Sequence, residues 1–337
     1  MARAKNYNVA VVGIGAVGRD MVRVLHRRKF PMTSLRVFAR STREEQVDGR
    51  RIKVEKISER AFRGVDIALF AGSEEPQGHL GWPAVKQGAV VIDNGSAYRL
   101  YPNVPLVVPE VNPQDLSWHE GLVANPNCST IQFVVALKPL YDIARIRRAV
   151  VATYQSTSGK SAAAMDQLRL EWDHLVSGKE PPTDSVFPHP IGDNIIPHID
   201  RFDDKGTTRE ESKLLHETRK IMGDPDLLVT VTAVRVPVLR GHSEAVNLEF
   251  DSPITAKQAR AALRRAPGVV VQDDPDKEVY PMPHYAAGKD PVYVGRIRED
   301  HTVPHGLNLW VVSDNLLKGA ALNAVQIAET MIEGKLI

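Results

Sequence analysis

The sequence predicts an α/β protein organised on a doubly wound parallel sheet, and three observations carry that expectation. The run Asn8-Val9-Ala10-Val11-Val12 is apolar after its first residue, the pattern of a parallel strand covered on both faces, and Gly13-Ile14-Gly15-Ala16-Val17-Gly18 follows it at once. Val17, Met21, Val24 and Leu25 then recur at helical spacing, with Arg19, Asp20, Arg23 and Arg27 on the other faces. Further short apolar strands at 35–39, 66–71, 89–93, 106–108 and 122–124 alternate with helical or loop segments.

Between a strand and a helix, the glycine turn reads as a pyrophosphate cradle: glycines permit the turn and close approach, and the helix N-terminus receives the anion. A plain strand-to-helix turn is the competing reading. The second strand, Leu35–Ala39, runs into Arg40-Ser41-Thr42-Arg43. An NAD site carries an acidic residue there for the ribose 2′-hydroxyl, whereas a cation and hydroxyls suit a 2′-phosphate, so NADP is favoured although Glu44 and Glu45 follow. Arg99, in the turn Asp93–Arg99 past a strand's carboxyl end, could fork onto a phosphate or carboxylate or be a plain surface charge. The stretch Val108–Pro113 reads as a rigid corner.

The chain turns on Ala124-Asn125-Pro126-Asn127-Cys128-Ser129-Thr130. Asn-Pro-Asn cannot continue a strand, so the chain bends and restarts as a helix through the apolar run Ile131–Leu137. That restart sets Cys128, the one cysteine in the protein, at a helix N-terminus, where unpaired N–H groups favour thiolate over thiol. A nucleophile is one reading; a small buried hydrophobe is the other.

In the second half an apolar run at 148–154 ends in Gln155-Ser156-Thr157-Ser158-Gly159-Lys160, and Met165, Leu168, Trp172 and Leu175 line one face of a helix. Residues 181–197, rich in proline, predict an irregular loop. Thr208-Arg209-Glu210-Glu211 fits a capping box opening a helix that stops at Gly223, with Glu210 and Lys213 facing the same way. Residues 227–235 alternate as a half-buried strand, and 245–250 resemble its antiparallel partner. His242 lies in the junction between them, within reach of solvent, which suits a proton shuttle with a pKa near neutrality. The tail 315–332 is a strongly apolar helix, expected to berth on the nucleotide domain.

A length of 337 residues allows two domains and a sizeable core. The net charge of +2 provides no global field for nucleic acid or anionic lipid, so the partners expected are small molecules. One cysteine makes no internal disulfide, Met1–Lys5 lacks a signal peptide's apolar stretch, and no segment has the length of a membrane span, all of which point to the cytosol. His301 and His305 flank Pro304, which spoils the helix that would align them, so no metal is expected.

Together these stretches resemble the aspartate-β-semialdehyde dehydrogenase family over essentially the whole chain. The specific matches are Asn125–Thr130, Val107–Pro113, Tyr154–Gly159, Asn194–Asp200, and Arg235 seven residues before His242. The resemblance implies an NADP-binding Rossmann-type domain at 1–127 completed by 314–337, and an α+β catalytic and dimerisation domain at 128–313. It implies NADPH-dependent reductive dephosphorylation of L-aspartyl-4-phosphate to L-aspartate 4-semialdehyde, in the pathway to lysine, diaminopimelate, threonine and methionine, by a homodimer or homotetramer. Cys128 would be the nucleophile and His242 the general acid/base. Gln155, Arg235 and Glu210 would hold the amino-acid part of the substrate, while Arg99, Asn127 and Lys213 would bind phosphate or the acyl group. Gly13, Ile14, Gly15, Ala16, Val17, Gly18, Arg40, Ser41, Ser158, Gly159 and Asn315 would line the NADP site.

Three departures stand out. The family's glycine turn is one residue longer and contains a threonine, Gly95 replaces a common serine, and Lys160-Ser161 replaces a glycine-containing pair. The related N-acetyl-γ-glutamyl-phosphate reductases carry glycine where this chain has Asn127. A silent NADP-binding homologue would have no need of Cys128, Gln155, Arg235 and His242 together.

Overall fold

The computed structural model describes residues 6–58, 60–72 and 78–337; the Met1–Lys5 stretch lies outside them. The first strands and helices are β1 Tyr7–Val12, α1 Ala16–Arg27, β2 Met32–Ala39, β3 Arg43–Val47, β4 Arg50–Lys56, β5 Ile67–Phe70, α2 Gly81–Val85, β6 Val90–Asp93 and β7 Leu122–Ala124. Next come α3 Cys128–Tyr141, β8 Ile146–Gln155, α4 Ala162–Val176, α5 Arg209–Met222, β9 Leu228–Arg235, β10 His242–Phe250 and α6 Ala256–Leu263. The chain finishes with β11 Val269–Val271, α7 Pro283–Ala286, β12 Val292–Asp300, β13 Gly306–Ser313 and α8 Leu322–Glu333. Two compact units result: Met1–Asn127 with Ala320–Ile337, and Cys128–Gly319.

The first unit holds a seven-stranded sheet in the order β3-β4-β2-β1-β5-β6-β7, parallel except for β3, which runs antiparallel to β4. The run of order out from β1 to both sides is the doubly wound pattern, and β1 and β5 are buried as their apolar sequences require. The hairpin β3–β4 was not legible from hydrophobicity, because both strands are charged, β3 forming the sheet's edge. Its signal was Asp48-Gly49, where both residues take positive φ in a two-residue turn.

The strand expected at 106–108 is reduced to one bridge, Leu106 to Ala124. Prolines 105 and 109 bound the stretch, and the Asn112 side chain takes over its backbone: Oδ1 accepts from Val108 N and Nδ2 donates to the Leu106 carbonyl. The tail helix also differs from the expected 315–332. Asp314 Oδ1 accepts from the N–H groups of Leu316 and Leu317, a wide π turn covers Leu317–Ala321, and regular α-helix begins only at Leu322. In the first unit α8 packs on α1, β5 and β6, and Arg28 forks onto Glu329.

The second unit is built on a six-stranded mixed sheet, order β11-β12-β13-β10-β8-β9. Here β9 and β10 are not neighbours. β8 lies between them, parallel to β9 and antiparallel to β10, which corrects the expected 227–235 and 245–250 pairing. The intervening Val236–Gly241 contains Pro237 and is too long for a two-residue hairpin; instead it crosses the end of β8, where Val238 and Leu239 carbonyls accept from Thr157 and Ser158 N–H.

Helix α3, buried from Ser129 to Leu137, packs on β8, β12 and β13 and also on α5 and α6, which is why its middle is mostly apolar with no polar face. Helix α5 starts with the capping box Thr208/Glu211 and ends at Gly223 in the left-handed region. The proline-rich stretch before it is ordered irregular chain: Glu171 Oε2 accepts the N–H groups of Ile191 and Gly192 at 2.6 Å, and Phe187, Ile191 and Ile196 pack against Ala164 and Leu168.

Candidate active site

The register of the second sheet puts four polar side chains in one row. Ser313 of β13 pairs with His242 of β10; the Ser243–Tyr154 pair sets His242 opposite Gln155 of β8; and Gln155 pairs with Arg235 of β9. Residues paired across a ladder point to the same face, so the four side chains share one side of the sheet. All four are buried. A polar row within a packed core needs its own internal partners, and nearly every group in it has them.

The imidazole of His242 is fixed from behind. Its Nδ1 accepts from the backbone N–H of Ser156 at 3.1 Å, which requires Nδ1 unprotonated and leaves the proton of the neutral ring on Nε2. Nε2 is buried and has no hydrogen-bond partner. Burial, followed by the positive charge of Arg235, pushes the pKa of His242 down to about 3. The expected near-neutral, solvent-reaching shuttle is therefore corrected: the ring is 0 % exposed and uncharged at neutral pH.

Arg235 donates from Nη1 to the Ser156 carbonyl at 2.7 Å. Burial pulls its pKa down, while the charges of Glu210 and Cys128 oppose the shift, so the guanidinium lies within electrostatic reach of both. Gly159 marks where the two meet. A Cβ built there would stand 3.0 Å from Arg235 Nη1 and 3.0 Å from His242 Nε2, so only glycine leaves both groups open.

Gln155 takes a hydrogen bond from Thr153 Oγ1 on its Oε1 and donates from Nε2 to Glu210 Oε1, both at 3.1 Å. Lys213 Nζ lies 3.3 Å from Glu210 Oε2 and 2.9 Å from Asp200 Oδ2. The Glu210–Lys213 pair is thus tied into the buried row through Gln155. Desolvation and the Lys213 bond act oppositely on Asp200, whose pKa is held below its usual value.

Cys128 is the first residue of α3 and is half-buried. The turn before it is anchored in the first unit, where Asn125 Nδ2 donates to Asn94 Oδ1 and Asn125 Oδ1 accepts from Asn323 Nδ2. A Cβ on Gly319 would fall 2.9 Å from the Cys128 Cβ, so a glycine is needed where the π turn passes the thiol-bearing residue. Asn315 Oδ1 collects Ser156 Oγ, Ser158 Oγ and Gly241 N–H at 2.9–3.2 Å, leaving its buried Nδ2 without a partner.

Of the sites expected from the sequence, the second unit gathers Cys128, Gln155, Ser158, Gly159, Glu210, Lys213, Arg235, His242 and Asn315. The others, Gly13–Gly18, Arg40, Ser41, Arg99 and Asn127, belong to the first unit. There, Gly13 takes φ 98°, and a Cβ on Gly18 would meet the Gly13 carbonyl oxygen at 1.9 Å. Gly15 caps α1 without a side-chain hydrogen bond and faces open space, so the helix's first N–H groups are open to an anion. Arg40 and Ser41 are exposed just past β2. Glu45, a competing ribose ligand, is engaged by Arg19 and Arg43, which hold its pKa low. Arg99 is buried and donates to the Asn94 carbonyl at 2.8 Å.

Three residues escaped sequence reasoning: Ser156, which holds His242; Thr153, which orients Gln155; and Asp200, which shares Lys213. For Thr153 the period-2 alternation with Gln155 was an available signal. Lys160 lies with Nζ 5.6 Å from the Phe187 ring centroid, a cation–π contact. Among the described residues no group of three His, Cys, Asp or Glu is arranged to hold a metal, and no helix is long and apolar enough to cross a membrane.

Residues 8–119 match the family model described as semialdehyde dehydrogenase, NAD binding domain, and residues 137–318 the model described as semialdehyde dehydrogenase, dimerisation domain. The aspartate-semialdehyde dehydrogenase of Aquifex aeolicus is 48% identical, with 98% of this chain and 99% of that protein covered. That of Bacillus subtilis is 45% identical over 97% and 98% of the two chains. Among solved structures, aspartate semialdehyde dehydrogenase II of Vibrio cholerae, complexed with ASA, superposes with a TM-score of 0.93 at 43% identity, covering 98% of this chain and 99% of that one. With identities of this size over nearly the whole chain and family models matching 8–119 and 137–318, the chain belongs to the aspartate-semialdehyde dehydrogenase family.

Proposed function

We propose that the protein interconverts L-aspartyl-4-phosphate and L-aspartate 4-semialdehyde with NADP, through a thioester on Cys128. The observation that carries this reading is the meeting of His242 Nε2 and the Arg235 guanidinium at Gly159, with Arg235 in electrostatic reach of Cys128. A half-buried cysteine in electrostatic reach of a carboxylate-binding fork that itself meets the imidazole suits acyl transfer to sulfur followed by reduction.

Each unit by itself carries residues that suit one part of a dinucleotide. The open start of α1 at Gly15 and the close approach at Gly18 would take the pyrophosphate, Arg40 and Ser41 the 2′-phosphate, and Asn315, with its orphaned Nδ2, would face the cofactor's amide end beside Ser158 and Gly159. When bound, NADPH supplies the hydride that reduces the thioester carbon.

In the biosynthetic direction, attack by the Cys128 sulfur forms the C–S bond and breaks the C–O bond to phosphate, which leaves with its electron pair. Arg235, with Gln155 and Glu210, holds the substrate's carboxylate and amine, and its planar fork matches a carboxylate as lysine cannot. N–H groups of the first turn of α3 stabilise the oxyanion, a contribution of about 3 kcal/mol per donor. His242 donates from Nε2 to the developing oxyanion. A substrate carboxylate on Arg235 also cancels the charge that depresses the imidazole's basicity, so the ring gains proton affinity as substrate binds. After reduction the C–S bond breaks, releasing aldehyde and thiolate. Arg99, Asn127 and Lys213 are assigned, within this proposal, to phosphate and the acyl oxygen. The compartment proposed is the cytosol, where a lone thiol stays reduced.

The test is NADPH formation from aspartate semialdehyde with and without inorganic phosphate, repeated with NAD. Phosphate-dependent reduction of NADP is the expected result; turnover indifferent to phosphate would refute the acyl-phosphate scheme.

A further inference from the structure

One buried side chain beside the row has no part in the chemistry above. Glu244, two residues along β10 from His242, is 0 % exposed, and neither carboxyl oxygen has a hydrogen-bond partner. Its ladder partners are Thr153 on β8 and Val311 on β13, and from α3 it meets Gln132. Gln132 is fully buried too, one helical turn after Cys128. Its Oε1 accepts from Ser313 Oγ at 2.6 Å, while Nε2 has no partner within hydrogen-bond distance. Gln132 therefore stands between two residues that flank His242: Ser313 directly across the ladder, and Glu244 on the same strand.

Residues four apart lie on one helix face, so whatever fixes Gln132 fixes the direction of Cys128. We propose that Gln132, Ser313 and Glu244 form a buried brace that sets the rotation of α3 against β10 and β13, and so holds the Cys128 sulfur in register with the His242 imidazole. This assignment rests on the function proposed above.

Glu244 serves the brace as a carboxylic acid. Gln132 from α3, Thr153 from β8 and Val311 from β13 face it, with the neutral His242 two residues along its own strand, and none of these brings a positive charge. Burial raises its pKa well above the carboxylate range, with only Gln132 opposing. A glutamine amide can present either end. With its nitrogen toward Ser313 Oγ and its oxygen toward Glu244, the acid's O–H and the amide's N–H both find acceptors. The three residues are positioning residues, acting through Cys128 and His242.

The experiment compares E244Q, E244L and Q132L with the wild type in kcat, in KM for aspartate semialdehyde, in the rate of Cys128 alkylation by iodoacetamide at neutral pH, and in circular dichroism melts. E244Q, neutral and of the same shape, is expected within about threefold of wild type in kcat and alkylation, since the amide preserves the brace. E244L and Q132L should lose about 10- to 100-fold in kcat and slow alkylation about fivefold or more, with KM nearly unchanged. If both leucine variants fold and keep wild-type kcat and alkylation, the brace is overturned. If E244Q falls as far as E244L, the carboxylic acid form is overturned. Should a leucine variant fail to fold, S313A removes a single hydroxyl, and wild-type alkylation in that variant overturns the brace equally. Alkylation needs no substrate, so the expected alkylation pattern in a protein lacking phosphate-dependent turnover would refute the proposed function and support the brace.

Discussion

Substituting Cys128 by serine exchanges a good nucleophile and leaving group for a poor one without changing the shape of the start of α3. Phosphate-dependent NADPH formation should fall about 10³-fold or more, measured with protein whose melting curve matches the wild type. His242 leaves a thermodynamic mark as well as a kinetic one. Its pKa is about 3 in the folded protein against a reference value of 6.5, so between those values the unfolded chain binds a proton that the native state refuses. The sign follows: this group costs stability as pH falls from 6.5 toward 3 and nothing above 6.5. An H242Q variant should therefore lose less stability than the wild type across that interval, while the two run parallel at higher pH, in chemical unfolding followed from neutral to acid. The chemical identity of both residues was plain in the sequence, but the environment of His242 was not. A histidine beside Gly241 between two strands looks accessible, yet the ring is buried, held by the Ser156 N–H with Gly159 against it.

At the scale of elements, what could be read in advance was what neighbouring residues decide among themselves. The glycine turn between β1 and α1 and the capping box of α5 are of this kind, since each is a contract between residues a few positions apart. Strand order is a contract between distant ones. Nothing local in 227–235 or 245–250 announces that 146–155 inserts between them, and nothing in Leu106–Val108 shows that Asn112 will occupy its backbone. The glycine turn also makes a sharp prediction. A methyl at position 18 would fall 1.9 Å from the Gly13 carbonyl oxygen, a backbone atom that cannot swing aside. G18A should weaken NADPH binding about tenfold or more by fluorescence titration, through displacement of α1 from the turn, whereas G15A, with nothing near its Cβ, should fold normally.

For the molecule as a whole, the division into Met1–Asn127 with Ala320–Ile337 and Cys128–Gly319 means that the terminal α8 completes a unit begun some 300 positions earlier, as the Arg28–Glu329 fork illustrates. The second unit carries the region matched as a dimerisation domain, so light scattering behind a sizing column should return twice the 37.3 kDa chain mass. A monomer at micromolar concentration would contradict that. The chain's sulfur chemistry has a practical corollary. With a single half-buried thiol per polypeptide, and that thiol at the head of α3, intact-mass spectrometry after limited carboxamidomethylation counts competent centres molecule by molecule, with no background from other cysteines. Turnover plotted against the unmodified fraction then reveals directly whether two subunits work independently or in alternation.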